Sequence, residues 1–301
     1  MRRIKLARFL SFLSGLLPVR YPLHGELNDQ PIFVFGSGRN GSTLLNRILN
    51  QHSKLQLPSE QNFLGSSIIK FKLYNFFNWR DLMKIIGGEL FIDDGAHTWP
   101  QFDASVLKRL TYLEDRSLQS VLDLIFRSTF NQTEKKYWGD TTPQNTKYCK
   151  EISEVFPKGK YIFLVRNPLD VVASYHRGST DAFGELVDVK LSARLWKDSL
   201  KAYHYLSKNH QVKLLRYEDL VNDPTSTLSA LMNYLNLDFE ENMLFHDKFG
   251  SVSRLHSEPQ HNNIKKGIFN SSIEKWKSSL SEREVQEVLD LIGAEKTNFG
   301  Y

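Results

Sequence analysis

Pro31-Ile-Phe-Val-Phe-Gly-Ser-Gly-Arg-Asn-Gly-Ser-Thr-Leu-Leu-Asn-Arg-Ile-Leu-Asn50 decides the fold. The first five residues are a short apolar run of strand type, and Leu44 to Asn50 place apolar residues at helical spacing. Between them, glycines at 36, 38 and 41 let the backbone turn tightly and aim its N–H groups at an anion, to which the following helix adds its positive end. Strand, glycine loop and helix are the context that a phosphate-binding loop requires; the competing reading is an ordinary tight turn. The spacing is that of a Walker loop, but Ser42 stands where the lysine should be. That lysine reaches the outer phosphates in ATPases and kinases. Here the fixed cation of the loop is Arg39, so the expected ligand is an anion at the 5′ side of a nucleotide rather than a transferable γ-phosphate.

A second strand and loop follow later. Lys160 to Val165 is a continuous apolar strand, and Arg166-Asn-Pro-Leu-Asp-Val-Val-Ala-Ser174 comes directly after it. Pro168 suits the first turn of a helix and Asp170 its positive end. Arg166 at the strand exit and Ser174 two turns on are placed to face one anion. With these residues the chain resembles the sulfotransferases that use 3′-phosphoadenosine-5′-phosphosulfate (PAPS). That family carries a first loop of the form Arg-Ser-Gly-Thr-Thr-Leu, matched here by Arg39-Asn-Gly-Ser-Thr-Leu44. Its second loop has the form Val-Arg-Asn-Pro-x-Asp with a serine eight residues after the arginine, matched by Val165 to Asp170 and Ser174.

The resemblance extends over most of residues 31–295. Leu215-Arg-Tyr-Glu-Asp-Leu220 is similar to a strand-end element whose tyrosine lies near the adenine, and Lys265-Lys-Gly267 to the basic element that wraps the 3′-phosphate. The donor-binding set that the resemblance implies is therefore Gly38, Arg39, Asn40, Gly41, Ser42, Thr43, Leu44, Arg166, Ser174, Tyr217, Lys265, Lys266 and Gly267. Ser272-Ile-Glu-Lys-Trp276 and the amphipathic stretch from Ser281 to Ile292 look like the family's closing elements. One departure stands out in Trp138-Gly-Asp-Thr-Thr-Pro143: Thr141 occupies the place of a lysine that assists transfer in relatives acting on tyrosine.

Strands are expected at 31–36, 136–139, 160–165 and 212–216, and helices at 42–52, 59–86, 100–130, 144–156, 168–178, 189–209 and 225–236. This alternation predicts an α/β class, a three-layer P-loop-like fold with a central parallel sheet flanked by helices and ligands at the carboxyl ends of the strands. The insert between the first two strands is rich in aromatics, including Phe63, Phe71, Tyr74, Phe76, Phe77, Trp79, Trp99 and Phe102. It is read as helix packing or as the acceptor-specificity region.

Of the 301 residues 41% are hydrophobic and 12% aromatic, enough for one α/β core, so residues 31–301 are expected to form one sulfotransferase-like domain. The 39 basic and 34 acidic residues leave a net charge of +5. With no arginine-rich tract, zinc spacing or RNA-binding aromatic signature, nucleic acid is not an expected partner. The single cysteine, Cys149, excludes an internal disulfide and favours a reducing compartment. Residues 1–30 differ: Met1-Arg-Arg-Ile-Lys-Leu-Ala-Arg-Phe-Leu-Ser-Phe-Leu-Ser-Gly-Leu-Leu-Pro18 is basic and then apolar. The run is too short to span a bilayer and lacks a clear signal-cleavage pattern. Two readings stay open: an amphipathic helix on a membrane surface, in which residues 1–20 give peripheral contact, or a helix packed on the domain. The expected location is cytoplasmic, with membrane association under the first reading.

Sulfuryl transfer needs an anion cradle, a base for the acceptor hydroxyl and cations for the charge built up in the transition state. Arg39 is assigned to that charge, and Glu60, in Leu57-Pro-Ser-Glu60, to the base, following the family's habit of placing a glutamate shortly after the first helix. The alternative for Glu60 is a helix start, which acids favour. His97 and His52 are the other candidate bases, and Asp140 a candidate for orienting the acceptor. The expected activity is transfer from PAPS, without a metal, to a hydroxyl or amine of a small-molecule, lipid or saccharide acceptor. Two alternatives stand beside it: a P-loop kinase, against which Ser42 argues, and a membrane-surface binding protein with a vestigial nucleotide loop.

Overall fold

A computed structural model describes residues 19–92, 104–130, 134–182, 188–245 and 272–301. His97, Trp99, Phe102, Lys265, Lys266, Gly267 and residues 1–18 lie outside the described residues. In chain order the strands are β1 (Ile32–Phe35), β2 (Leu55–Gln56), β3 (Tyr137–Asp140), β4 (Lys160–Val165) and β5 (Val212–Arg216). The helices are α1 (Ser42–Gln51), α2 (Phe63–Leu73), α3 (Trp79–Ile92), α4 (Ala104–Thr111), α5 (Leu118–Arg127) and α6 (Cys149–Val155). They continue with α7 (Pro168–Ala182), α8 (Val189–Asn209), α9 (Tyr217–Asn222), α10 (Pro224–Leu235) and α11 (Glu282–Ile292). The sheet is parallel, with strand order β2-β3-β1-β4-β5. Strands of such a sheet are covered on both faces and read as continuous apolar runs, which is why Ile32 to Phe35 and Tyr161 to Val165 are all buried. The fold is the expected α/β, P-loop-like one.

The chain divides into two compact units, residues 1–33 with 53–159, and residues 34–52 with 160–301. In the first unit, Ile32 and Phe33 pair with Gly139 and Asp140, and Leu55 and Gln56 with Tyr137 and Trp138. Its core centres on Trp138, which stacks on Phe126 at 4.1 Å and meets Phe33 and Phe156 edge-on. Burial of the indole is made tolerable by a hydrogen bond from its Nε1 to Asp123 Oδ1 (2.8 Å). Phe63, Phe71 and Trp79 are likewise buried, so this part of the aromatic insert serves helix packing.

Two expected long helices are each divided in two. Around 74–78 Asn75 accepts hydrogen bonds from the amides of Arg20 and Tyr21, and Asn78 accepts from Asp81 N at the start of α3. Before α5, Ser117 caps the helix by accepting from Ser120 N. Short polar side chains that satisfy local backbone groups end helices, and both breaks arise that way. Strand β2, two residues long, is too short to leave a periodic signal.

In the second unit β4 and β5 pair in register from Tyr161 with Val212 to Val165 with Arg216. The Tyr234 hydroxyl ties the ends together, sharing its one proton between the Tyr161 and Gln211 carbonyls, each 3.0 Å away. Ser281 and Glu284 form a capping box at the start of α11. Among the described residues no helix is long and apolar enough to cross a membrane.

The turn leaving β1 is closely constrained. Gly36 has φ 152°, and a Cβ there would lie 2.2 Å from the Leu164 carbonyl oxygen. Backbone cannot yield as a side-chain tip does, so Gly36→Ala is expected to cost more than about 2 kcal/mol of stability, read by urea unfolding.

Candidate active site

The loop after β1 is fixed by its own residues in the second unit. Asn40, 1% exposed, donates through Nδ2 to the Leu164 carbonyl on β4 (2.9 Å) and accepts from Ser42 N (3.1 Å). Its side chain therefore pins the loop to the strand and takes one of the amides left over at the start of α1. Gly41 sits at the N-cap with φ 99°, and a Cβ there would meet the Tyr217 ring at 2.5 Å. Thr43 and Leu44 follow in the first turn of α1, where amides have no acceptor within the helix. This is the arrangement by which a helix start receives an anion.

Two arginines close the cradle. Arg39, at φ 63° in the left-handed region, donates from Nε to Ser174 Oγ on α7 (3.0 Å). Arg166 leaves the end of β4 and is only 7% exposed. It donates from Nη1 to the Arg39 carbonyl (3.1 Å) and from Nη2 to the Ser272 carbonyl (2.6 Å), and its guanidinium lies 4.5 Å from the centre of the Tyr217 ring. The buried Nε of Arg166 has no acceptor among the described residues. A buried donor left unmade is costly, so this group fits an anion such as a nucleotide phosphate. Among the described residues, Arg39, Asn40, Gly41, Arg166, Ser174 and Tyr217 are thus one connected cluster, although they span positions 39–217 of the chain.

The residues flanking Arg166 have duties that the sequence did not disclose. Asn167 N donates to Glu218 Oε1 (2.9 Å), while Asn167 Oδ1 accepts from Leu169 N (2.9 Å). Asp170, expected simply to favour the positive end of a helix, accepts from the amides of Glu274 (2.8 Å) and Trp276 (3.1 Å). The Arg-Asn-Pro-x-Asp motif therefore holds the segment 272–276, which follows the expected Lys265-Lys-Gly267 element in sequence.

The candidate base lies in the first unit. Glu60 is exposed, and the adjacent Gln61 is fully buried. Gln61 donates from Nε2 to Asp140 Oδ1 (2.8 Å) and from its backbone to Thr142 Oγ1 (3.0 Å). Thr142 Oγ1 donates to the same Asp140 oxygen (2.6 Å), and Asn145 Nδ2 donates to the other one (2.9 Å). Asp140, the candidate for orienting the acceptor, is 2% exposed, and both of its carboxylate oxygens bond within the chain, where they hold Gln61 beside Glu60. Thr141, in the place of the family's lysine, is also buried. His52, the other base candidate described, is 1% exposed with Nε2 against the Asp238 carbonyl (3.0 Å), a structural placement. Gln61 and Asn145 escaped sequence reading because an isolated amide carries no spacing signal.

The Sulfotransferase family model matches residues 31–241. An uncharacterized protein of Aquifex aeolicus is 26% identical over 286 residues, covering 91% of this chain and 34% of that protein. The chain thus spans about a third of that relative's length. Protein-tyrosine sulfotransferase 1 of Danio rerio is 23% identical, covering 91% of this chain and 73% of that protein. Among solved structures, the sulfotransferase domain of the Synechococcus PCC 7002 olefin synthase superposes with a TM-score of 0.61 at 21% identity, covering 94% of this chain and 98% of that one. The sulfotransferase domain from the curacin biosynthetic pathway gives 0.60 at 23% identity, covering 88% and 98%. These two likenesses establish the fold.

Burial pushes the Asp140 carboxyl up from 3.8 to about 6, against the opposing pull of its hydrogen bonds from Thr142, Asn145 and Gln61. With the folded value above the unfolded one, the native state holds the extra proton between about pH 4 and 6, so this group's contribution to stability falls as pH rises through that window. Relative to wild type, Asp140→Asn is expected to gain about 2–3 kcal/mol over the same window, read by denaturant unfolding at stepped pH.

Proposed function

Since the chain belongs to the sulfotransferase family, and is accordingly a transferase, we propose that it moves the sulfuryl group of PAPS to a hydroxyl or amine of a saccharide, lipid headgroup or small metabolite. The observation that carries the donor assignment is the Arg39–Ser174 hydrogen bond together with Arg166 on the Arg39 carbonyl, which join the two phosphate motifs into one cradle. In this reading the amides of Thr43 and Leu44 receive the 5′-phosphate, while Arg166, Ser174, Lys265, Lys266 and Gly267 receive the 3′-phosphate. Gly38, Asn40, Gly41 and Ser42 shape the loop, and Tyr217, packed between Gly41 and Arg166, borders the adenine.

The donor supplies a sulfuryl group on a good leaving phosphate; the chain supplies charge and a base. Arg39 stands at the 5′ side, where negative charge grows as the sulfur–oxygen bond to the leaving phosphate lengthens. Glu60 takes the acceptor proton as the new sulfur–oxygen bond forms, and the product nucleotide is adenosine 3′,5′-bisphosphate. Glu60 is exposed, whereas Asp140 is buried and its proton affinity is raised by that burial. The division of labour assigns proton transfer to Glu60 and positioning to Asp140. With Thr141 in the lysine position, the transition-state cations in this chain are Arg39 and the Lys265-Lys266 pair. We further propose that residues 31–301 act as one catalytic domain and that the basic segment 1–20 gives peripheral membrane contact.

Two expectations follow. Arg166→Ala should lower the preference for adenosine 3′,5′-bisphosphate over adenosine 5′-monophosphate by about 10-fold or more, read by calorimetry, because charge-assisted hydrogen bonds are lost. Glu60→Gln should leave nucleotide affinity near wild type while turnover falls by about 10²–10⁴, read by single-turnover transfer. If Glu60 only begins a helix, turnover will instead stay close to wild type.

A further inference from the structure

Tyr301 lies far along the chain from either phosphate motif, and yet its side chain reaches one of them in two steps. Its hydroxyl donates to Glu218 Oε2 (2.5 Å), and the other oxygen of that carboxylate accepts from Asn167 N (2.9 Å). Asn167 is the residue directly after Arg166, at the turn from β4 into α7. The Tyr301 ring is itself held, lying 4.8 Å from the guanidinium of Arg216, whose Nη2 donates to the Gly300 carbonyl (3.4 Å). Arg216 Nη1 in turn meets Asp219 Oδ1 (3.3 Å).

We propose that Tyr301 is a positioning residue for the 3′-phosphate side of the cradle, acting through Glu218 on the Arg166-Asn167 turn. This rests on the donor reading given above. A glutamate has three side-chain torsions, and a half-buried one accepting a single backbone N–H at one oxygen is free to pivot about that contact. A second hydrogen bond at the other oxygen fixes the plane of the carboxylate, and with it the direction from which the Asn167 amide is held. Arg166 immediately precedes this amide and Ser174 lies on the helix that follows it, so a small tilt of the turn moves two proposed phosphate contacts together. Errors of about 1 Å at such groups are enough to weaken positioning. The contact is not interchangeable with general packing: the aromatic ring on Arg216 supplies the packing, and the hydroxyl alone supplies the hydrogen bond.

Tyr301→Phe separates the two, since it keeps the ring on Arg216 and removes the bond to Glu218. Affinities for adenosine 3′,5′-bisphosphate and adenosine 5′-monophosphate are measured by calorimetry on the full chain, alongside thermal unfolding. The expected result is a loss of about 3- to 10-fold in affinity for the bisphosphate, with the monophosphate changed by less than about twofold. An unchanged ratio of the two affinities overturns the proposal whatever happens to the melting temperature, as does an equal fall in both. Should Tyr301→Phe fail to fold, Glu218→Gln and Glu218→Ala replace it. Glutamine retains an acceptor for Asn167 N–H and a donor to the Tyr301 oxygen, so it should keep the discrimination within about twofold, while alanine should lose it. Equal discrimination in those two variants also overturns the proposal. A wild-type chain that binds both nucleotides alike would overturn the donor reading and this role together, whereas a discriminating wild type with an equally discriminating Tyr301→Phe removes this role alone.

Discussion

A buried guanidinium at the end of β4 is the constraint around which the loops after β1 and β4 are organised. The Arg166 guanidinium carries five donors that must be met where water is scarce. The chain meets some of them with carbonyls from Arg39 and Ser272 and covers one face with Tyr217. Each partner comes from a different part of the sequence: the first phosphate loop, the segment after residue 271 and the turn after β5. One costly side chain thereby fixes the relative position of three stretches, and its Nε, which has no acceptor among the described residues, is the feature that suits the site to an anion. Replacing such a residue by an apolar one would relieve the desolvation cost while releasing all three stretches, so stability and function pull in different directions here.

The first unit shows the converse use of a buried charge. Asp140 is surrounded by donors from Gln61, Thr142 and Asn145, yet burial still outweighs them and lifts its proton affinity. Both of its oxygens are taken up by these neighbours, so the carboxyl serves as a scaffold. Glu60, one residue from Gln61, is exposed. Two acids linked through Gln61 thus sit in different environments, one exposed and one buried.

The parts of this protein that rest on local chemistry were readable from its residues. Strand, glycine loop and helix at 31–50 demand one another, and a parallel sheet advertises itself through apolar runs such as Tyr161 to Val165. The helix breaks at 74–78 and before Ser117 were not readable, since Asn75 ends its helix by bonding to Arg20 and Tyr21, more than fifty positions away. The same applies to the site. Glycines, arginines and the serine of α7 have recognisable spacing, whereas Gln61, Asn145, Glu218 and Tyr301 act through partners 79, 5, 51 and 83 positions distant, for which the chain offers no periodic sign. Tyr217 was assigned to the adenine by resemblance, and its packing against both Gly41 and Arg166 became evident only in three dimensions.

The central claim is that one cradle holds a nucleotide whose sulfuryl group leaves. It is tested most directly by incubating the full chain with PAPS labelled in its sulfur, together with a panel of saccharide, lipid and small hydroxyl acceptors, and following label and nucleotide at once. The account predicts that label appears in at least one acceptor with an equal amount of adenosine 3′,5′-bisphosphate released, and that ATP with magnesium is left intact. Label that remains on the donor with every acceptor, while ATP loses its terminal phosphate, would contradict it.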